Sequence, residues 1–458
     1  MKQVENVASI NSDLFTIPRD DGTFLLYAPL TKKAGVINEA GVNTIVGYFD
    51  GRSLADGEQS FIENLYQNKF LTEEGQPKPV FSKNFTFKPH EVTLFVTSRC
   101  NLRCRYCYAD AGKKNMDMAV ETAQAAIDLV AANAGLMGLP KFAVGFHGGG
   151  EPTTAWDIVT QAVEYAYRVA DDKGLDVEVF AATNGMFNEK QRDYILQKFT
   201  NLNISIDGPA DIQDYNRPKT DGSGSFGIIR DNLKFFDEHR FQYGVRATIT
   251  KKNVYRMAEI VEWFNSEFNI DYLHLEPVWL CGRCLTTGEE APSDDAFIQC
   301  YAQAMEKAEQ LGVNLIYSGL RLGSLLSKFC AAASDGFNVL PDGTVTSCYE
   351  VTENDSPKAE VFHYGRYDAI KKAFVFDADK IKRLQQFSVE NFEYCRNCFC
   401  KWHCAGDCIS KVFDASKSFR HEGSIRCSLN RRLTIMQIEK MLESGFVESS
   451  DSLCRAKE

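Results

Sequence analysis

The chain has 458 residues, a formal net charge of −11, and 44% hydrophobic and 25% charged residues. This length predicts two or three domains, and the composition is that of a folded globular protein. The acidic balance argues against nucleic acid or an anionic membrane as the main partner. The sequence has no stretch of about 18 apolar residues that would predict a membrane span, and no apolar segment near the N-terminus that would predict a signal peptide. We therefore expect a cytoplasmic protein.

Residues 1–88 contain no cysteine and predict a small α+β domain. An Asp21-Gly22 turn separates two short β-patterned segments, and two helical patterns follow them. A polar stretch with two prolines, 76–88, predicts a linker to the next domain. The expected elements are strands 14–17 and 24–29, helices 39–48 and 58–68, and a short strand starting at Phe70 and Leu71.

From residue 91 onward, a strand pattern followed by a helix pattern repeats six times. This succession predicts an α/β fold with a parallel sheet, and in barrel forms the chemistry lies at the carboxyl ends of the strands. After residue 312 the repeat stops, and a loop-rich third domain is expected, so the predicted domains are 1–88, 89–312 and 313–458. The strands are expected at 92–97, 142–147, 177–183, 202–207, 245–250 and 272–278, and the helices at 119–134, 158–170, 189–199, 228–238, 255–268 and 296–311.

The fifteen cysteines are distributed unevenly. None precedes residue 100, three lie at Cys100, Cys104 and Cys107, and twelve lie from Cys281 onward. An odd number without an export signal disfavours a disulfide framework. Clustering in sequence favours metal ligation instead, since a cysteine buried for packing needs no close neighbour.

The first cysteine group directly follows the first strand of the βα series. Three thiolates, from Cys100, Cys104 and Cys107, can hold three irons of a 4Fe-4S cluster and leave the fourth iron open to an exogenous ligand. Spacing alone leaves two alternatives, a zinc site or three thiols that are close by chance.

This group and the strand-end segments after it resemble the radical S-adenosylmethionine (SAM) superfamily. The motif Cys-Asn-Leu-Arg-Cys-Arg-Tyr-Cys spans 100–107, and a His-Gly-Gly-Gly-Glu-Pro segment at 147–152 ends the second strand. The resemblance implies a partial (β/α)6 barrel whose cluster binds SAM. In the family, the tyrosine lies against the adenine, the glycine-rich segment contacts the amino group, and a Ser-Ile-Asp-Gly-Pro…Arg segment reaches the ribose and carboxylate. By this match the SAM-binding residues are Tyr106, Gly149, Gly150, Glu151, Ser205 and Arg217.

The later cysteines form a denser array. Taken alone, the block 395–408 is also compatible with a zinc ribbon or finger. The whole array resembles the SPASM domain of peptide-modifying radical SAM enzymes, which carries two auxiliary 4Fe-4S clusters. The resemblance implies a distal cluster on Cys395, Cys398, Cys404 and Cys427, and a proximal cluster on Cys330, Cys348 and Cys408.

The proximal cluster lacks an evident fourth ligand. Three interpretations stay open: its fourth iron binds a substrate thiolate, Cys281 or Cys284 completes it, or both of these cysteines are free thiols. Besides Cys281 and Cys284, three cysteines fall outside the ligand sets, namely Cys300 in a helical pattern, Cys400 within the distal block and Cys454 near the C-terminus.

The order of segments in residues 1–88 resembles the small winged-helix-like element that binds leader peptides in maturases of ribosomally made peptides. It carries Leu-Leu-Tyr-Ala-Pro at 25–29, Ile-Asn-Glu-Ala-Gly at 37–41 and Phe-Asp-Gly at 49–51. Such elements add the leader as a strand at an open sheet edge. The implied partners are a precursor peptide with its leader and a reductant such as flavodoxin or ferredoxin.

Together the resemblances imply a radical SAM oxidoreductase with three 4Fe-4S clusters, of the thioether-forming sactipeptide or ranthipeptide type. A 5′-deoxyadenosyl radical would remove hydrogen from the precursor peptide, and a thioether cross-link would follow. Carbon–carbon cross-linking or another radical change to a peptide, and formylglycine formation by an anaerobic sulfatase-type maturase, are the alternatives. An iron–sulfur electron carrier or a zinc-binding interaction module is the rival without catalysis. No catalytic acid or base is evident.

Overall fold

The structure is a computed structural model that describes residues 8–11, 13–72 and 86–443. These residues form two compact units. The terminal unit contains the described residues before 73 together with 319–330 and 387–443, and the central unit contains 86–318 and 331–386. The predicted division at residues 88 and 312 stays a prediction, and most of the predicted linker lies outside the described residues.

The terminal unit begins with an antiparallel sheet in the order β1-β2-β3-β4. The two strands and two helices predicted here are present, whereas β1 and β4 were not predicted. The short strand predicted at Phe70 and Leu71 is wrong: both residues lie in the turn after the second helix and are buried in the core. The elements are β1 Ala8–Asn11, β2 Leu14–Pro18, β3 Phe24–Ala28, β4 Lys33–Ile37, α1 Glu39–Phe49 and α2 Asp56–Gln67.

The central unit is built on one mixed sheet. Its six successive parallel strands confirm the predicted βα series, and a short seventh strand extends them at one edge. These strands are β5 Glu91–Leu94, β6 Lys141–Phe146, β7 Asp176–Thr183, β8 Asn201–Ser205, β9 Tyr243–Ile249, β10 Leu273–Pro277 and β11 Leu315–Ile316. Four strands that were not predicted continue the sheet beyond β5, the first parallel and the rest antiparallel. They are β12 Asn338–Val339, β13 Thr344–Thr346, β14 His363–Asp368 and β15 Ala373–Phe376.

Helices connect the parallel strands of the central unit. Six of them match the predicted helices, and two short ones, α6 and α9, were not predicted. They are α3 Val120–Leu136, α4 Trp156–Lys173, α5 Glu189–Lys198, α6 Ala210–Asn216, α7 Phe226–Glu238, α8 Met257–Glu267, α9 Cys284–Thr287 and α10 Asp294–Leu311. The core is apolar where helix meets strand, with Val130, Val144 and Phe264 fully buried. This burial stabilises the scaffold that carries the strand-end loops.

The C-terminal part has more helix than the expected loop-rich domain. Two helices belong to the central unit, α11 Ala359–Phe362 and α12 Ala378–Gln385. Three belong to the terminal unit, α13 Lys401–Cys404, α14 Ile409–Ser416 and α15 Cys427–Glu443. No helix among the described residues has the length and apolar character needed to cross a membrane.

Candidate cofactor and cluster sites

The first three thiols lie in the loop that follows β5. Burial raises the pKa of Cys100 to about 12, and the nearby Cys104 thiol adds to the rise. Burial also raises the pKa of Cys104 to about 11. Thiols buried to this degree become thiolates only beside a strong positive charge, such as that of bound iron. The donor set and its burial therefore fit an iron–sulfur cluster.

Arg283 holds this cysteine loop from the segment beyond β10. Its backbone N–H donates to the Cys107 carbonyl at 2.9 Å. Its guanidinium donates to the carbonyls of Cys104 at 3.0 Å and Ala111 at 2.6 Å, and to the Asp110 carboxylate at 2.9 Å. Four hydrogen bonds from one residue fix the loop's backbone. Sequence reasoning missed Arg283 because it considered this segment only for its cysteines.

Asp207, at the end of the fourth βα strand, organises the predicted SAM pocket. The buried Tyr106 hydroxyl donates to its carboxylate. Arg217 Nε donates to it at 3.2 Å, and Asn216 Nδ2 and the Thr248 backbone N–H donate at 2.9 and 3.0 Å. The Arg217 guanidinium also lies 5.2 Å from the centre of the Tyr106 ring. The structure thus brings the predicted tyrosine and arginine together through an aspartate that was not predicted.

Glu151 joins three strand-end loops. Its carboxylate accepts hydrogen bonds from the Thr183 hydroxyl at 2.7 Å and the Asn184 backbone N–H at 2.8 Å. It also accepts from the backbone N–H and the hydroxyl of Thr153. Its own backbone N–H donates to the Arg99 carbonyl at 2.7 Å. Because protein donors already occupy the carboxylate, Glu151 acts on this site by fixing the loops after β5, β6 and β7.

The glycines before Glu151 allow close contact between the first two loops. A Cβ added at Gly150 would lie 2.1 Å from the Arg99 carbonyl oxygen, which no side chain can tolerate. Gly149 has more room, since its nearest neighbour would be Thr352 at 3.5 Å. Ser205 is half-buried at the end of β8. The predicted SAM-binding residues therefore all follow or end strands of the parallel sheet, at their carboxyl ends.

The four predicted ligands of the distal cluster line one cavity in the terminal unit. Three of their sulfurs have nitrogen neighbours: Asn430 Nδ2 lies 3.3 Å from Cys404, the Ser424 backbone N–H 3.1 Å from Cys427, and His421 Nε2 4.0 Å from Cys395. Hydrogen bonds to ligating sulfurs are typical of iron–sulfur sites. The cavity thiols are Cys395, Cys398, Cys404 and Cys427, together with Cys400, which was not predicted as a ligand.

The remaining cysteines are spread over both units. Of the three predicted proximal ligands, Cys330 and Cys408 belong to the terminal unit and Cys348 to the central unit, so their common cluster stays a prediction. Within the described part of the chain, no three His, Cys, Asp or Glu side chains are grouped as ligands of a single ion. Three more cysteines have described positions: Cys281 is half-buried, Cys284 packs near Tyr106 and Cys104, and Cys300 is buried on α10. Cys454 lies outside the described residues.

Comparison with known proteins agrees with this geometry. Residues 94–263 match the radical SAM superfamily. Together with the cysteine loop at the head of the parallel strands, this match shows that the central unit contains a radical SAM domain. An uncharacterised protein of Methanocaldococcus jannaschii is 30% identical over 37% of this chain, which spans 56% of that relative's length.

Longer matches concern enzymes of one structural type. A cysteine-type anaerobic sulfatase-maturating enzyme of Clostridium perfringens is 21% identical over 68% of this chain and 86% of its own length. The native anSMEcpe structure with bound AdoMet has a TM-score of 0.61 at 16% identity, covering 78% of this chain and 99% of that one. Streptococcus suis SuiB bound to precursor peptide SuiA has a TM-score of 0.55 at 14% identity, covering 92% and 99%. The fold is therefore that of SPASM-containing maturases.

Proposed function

We propose that this enzyme matures a ribosomally made precursor peptide and installs a thioether cross-link in it. The observation that carries the proposal is the set of three strand-end loops held together around Cys100, Cys104 and Cys107. The structure of SuiB bound to a precursor peptide matches 92% of this chain, and this similarity supports a peptide substrate.

In this proposal three protein thiolates hold the first cluster, and SAM binds at its open iron. Gly149, Gly150, Ser205 and Arg217 contact SAM, and Tyr106 lies against its adenine. Reductive cleavage of SAM supplies the radical that removes hydrogen from the peptide. The protein's part is to orient and enclose: Asp207 fixes the Tyr106 hydroxyl and the Arg217 guanidinium, and their burial excludes water from the site.

Two auxiliary clusters complete the proposal. The distal cluster binds the four thiols that share one cavity, which leaves none of its irons open. The proximal cluster binds Cys330, Cys348 and Cys408, and its fourth iron is open to a substrate thiolate. Such an open position would favour thioether formation, because it would hold a substrate thiol close to the carbon from which hydrogen is removed.

The terminal unit supplies the proposed peptide-binding surface. Its antiparallel sheet has β1 at one edge, and such an edge can accept a leader peptide as an added strand. A flavodoxin or ferredoxin would supply the electron, and the reducing conditions that the clusters would require support a cytoplasmic location.

Formylglycine formation is the second candidate. The similarity to the sulfatase-maturating enzyme, which spans 86% of that protein, favours it. A sulfatase maturase needs no leader-binding sheet, and this chain has an antiparallel sheet between residues 8 and 37 that could take that role. That sheet is the reason for preferring a precursor peptide with a leader.

Anaerobic iron and sulfide analysis provides the first test. Three clusters correspond to about twelve irons per chain, whereas zinc or about eight irons would contradict the cluster set. Reduction with SAM should release 5′-deoxyadenosine, and Cys100→Ala should abolish that release because the first cluster loses a ligand. Cys300→Ala is the matched control, since this thiol is buried on α10 and is not a predicted ligand.

Mass spectrometry of the precursor encoded beside the gene provides the second test. Formation of a thioether lowers the mass of the peptide by two hydrogens and lowers its number of alkylatable thiols by one. A carbon–carbon bond removes two hydrogens and leaves every thiol, so an unchanged thiol count would contradict thioether formation. Formylglycine made from cysteine replaces the thiol with an aldehyde that reacts with hydrazines.

A further inference from the structure

A fifth thiol lies in the cavity of the predicted distal cluster. Cys400 Sγ is 3.3 Å from Cys398 Sγ, and both residues line the cavity together with the other three predicted ligands. Cys400 is only 2% exposed. A cubane with four irons takes at most one cysteine ligand on each iron, so this cavity contains one thiol more than the cluster can use at one time.

The backbone holds the two thiols together through a tight turn. The Lys401 backbone N–H donates to the Cys398 carbonyl at 3.1 Å, and the Cys404 backbone N–H donates to the Cys400 carbonyl at 2.9 Å. Phe399, between the two cysteines, is buried against Phe15 with ring centres 6.5 Å apart. Since the core fixes Phe399, the contact between the flanking thiols is a built feature of the terminal unit.

The surroundings suit a thiolate at either position. Arg431 lines the same cavity and interacts electrostatically with Cys398, Cys400 and Cys427. Its guanidinium can therefore compensate the negative charge of whichever of the first two sulfurs is bound to iron. The other three predicted ligands have nitrogen donors as neighbours, and Cys398 has a second potential ligand beside it in addition to the Arg431 guanidinium.

We propose that Cys400 is a reserve ligand of the distal cluster, able to take the iron of Cys398. In the exchange, the Cys400 thiol loses its proton and forms an S–Fe bond, while the bond from Cys398 breaks and its sulfur takes up a proton. No electron is transferred. This inference rests on the proposed function, since it requires the distal cluster.

Four variants of the full chain, purified anaerobically, test the proposal through iron and sulfide content and the electron paramagnetic resonance spectrum of the reduced protein. Cys398→Ala should keep about twelve irons, and so should Cys400→Ala, because one of the two thiols remains in each. The double variant should lose about four irons and the distal signal. Cys427→Ala is the matched control and should show the same loss, since its neighbour is a backbone amide.

Two results would overturn the inference while leaving the distal cluster intact as a proposal. One is a loss of about four irons in Cys398→Ala equal to that in Cys427→Ala. The other is the same loss in Cys400→Ala, which would make Cys400 an obligate ligand. Wild-type chain with only about eight irons would overturn the distal cluster itself, and this inference with it. Circular dichroism of every variant shows that an iron loss is not a failure to fold.

Discussion

Gly282 shows how tightly the segment beyond β10 packs on the first cysteine loop. Its φ is +54°, in the left-handed region. A Cβ at this position would lie 2.3 Å from the Cys107 carbonyl oxygen and 2.4 Å from that of Tyr108. Both neighbours are backbone atoms of the loop that holds the predicted first cluster. Any residue larger than glycine must therefore push the two segments apart.

Gly282→Ala should release the first cluster. Separation of the segments would break the hydrogen bonds from Arg283 that hold the loop, so we expect a loss of about four irons per chain and of SAM cleavage. Gly288→Ala is the matched control: its φ is +67°, yet nothing lies within 4 Å of its added Cβ. It should cost about 1 kcal/mol of stability and keep all its iron. Full iron content in Gly282→Ala would contradict the prediction.

Single residues differed in how far the sequence could predict them. The cysteines could be predicted as ligands because their spacing within a short loop is visible in the chain itself, and that assignment stays a prediction. Arg283 and Asp207 could not, because each acts on residues about 100 to 180 positions away, through contacts that exist only after the strands align. Cys400 was set aside by spacing alone, and only the folded turn brings it to Cys398.

At the scale of elements, the loop after β6 depends on one buried carboxylate. Glu151 accepts four hydrogen bonds, two from Thr153 in its own loop and two from Thr183 and Asn184 at the end of β7. Burial raises its pKa, and the donors act against that rise. Removing the charge while keeping the shape would leave several donors facing an amide.

Glu151→Gln should weaken SAM binding and lower stability. The amide nitrogen cannot accept the hydrogen bonds that one carboxylate oxygen receives, and unsatisfied buried donors cost about 1–3 kcal/mol. Thermal unfolding and titration of SAM binding by the cluster's electron paramagnetic resonance signal measure the two effects. Glu238→Gln, on the exposed end of α7, should change neither. Wild-type affinity and melting temperature in Glu151→Gln would refute the role assigned to its carboxylate.

Elements were predicted well where the pattern was long and poorly where it was short. In the six βα repeats, strand and helix patterns alternate clearly along the sequence, and all six were predicted in the correct order. The strands added at the two sides of the sheet include β11 and β12, which are two residues long and carry no periodicity of their own. They become strands only because β10 and β5 present open edges for pairing.

At the scale of the whole molecule, the two ends of the chain fold into one unit. Tyr27 of the N-terminal sheet shares a core with Phe399 and Cys404, and its hydroxyl lies 2.5 Å from His403 Nε2. Trp402 Nε1 donates to Asp13 at 2.8 Å. These partners are more than 370 positions apart, so no local pattern could predict that the proposed leader-binding sheet packs on the cysteine segment.

This shared core predicts that the distal cluster stabilises the N-terminal sheet. Metal binding that requires a folded site adds its free energy to folding, so losing the cluster should loosen everything packed on its ligands. In Cys427→Ala, amide hydrogen exchange should become faster in β3 and in 399–404, and stay unchanged in β6 of the central unit. Cys100→Ala, which removes a predicted ligand of the first cluster, should leave β3 as protected as in the wild type. Equal protection of β3 in Cys427→Ala and wild-type protein would show that the sheet folds without help from the cluster.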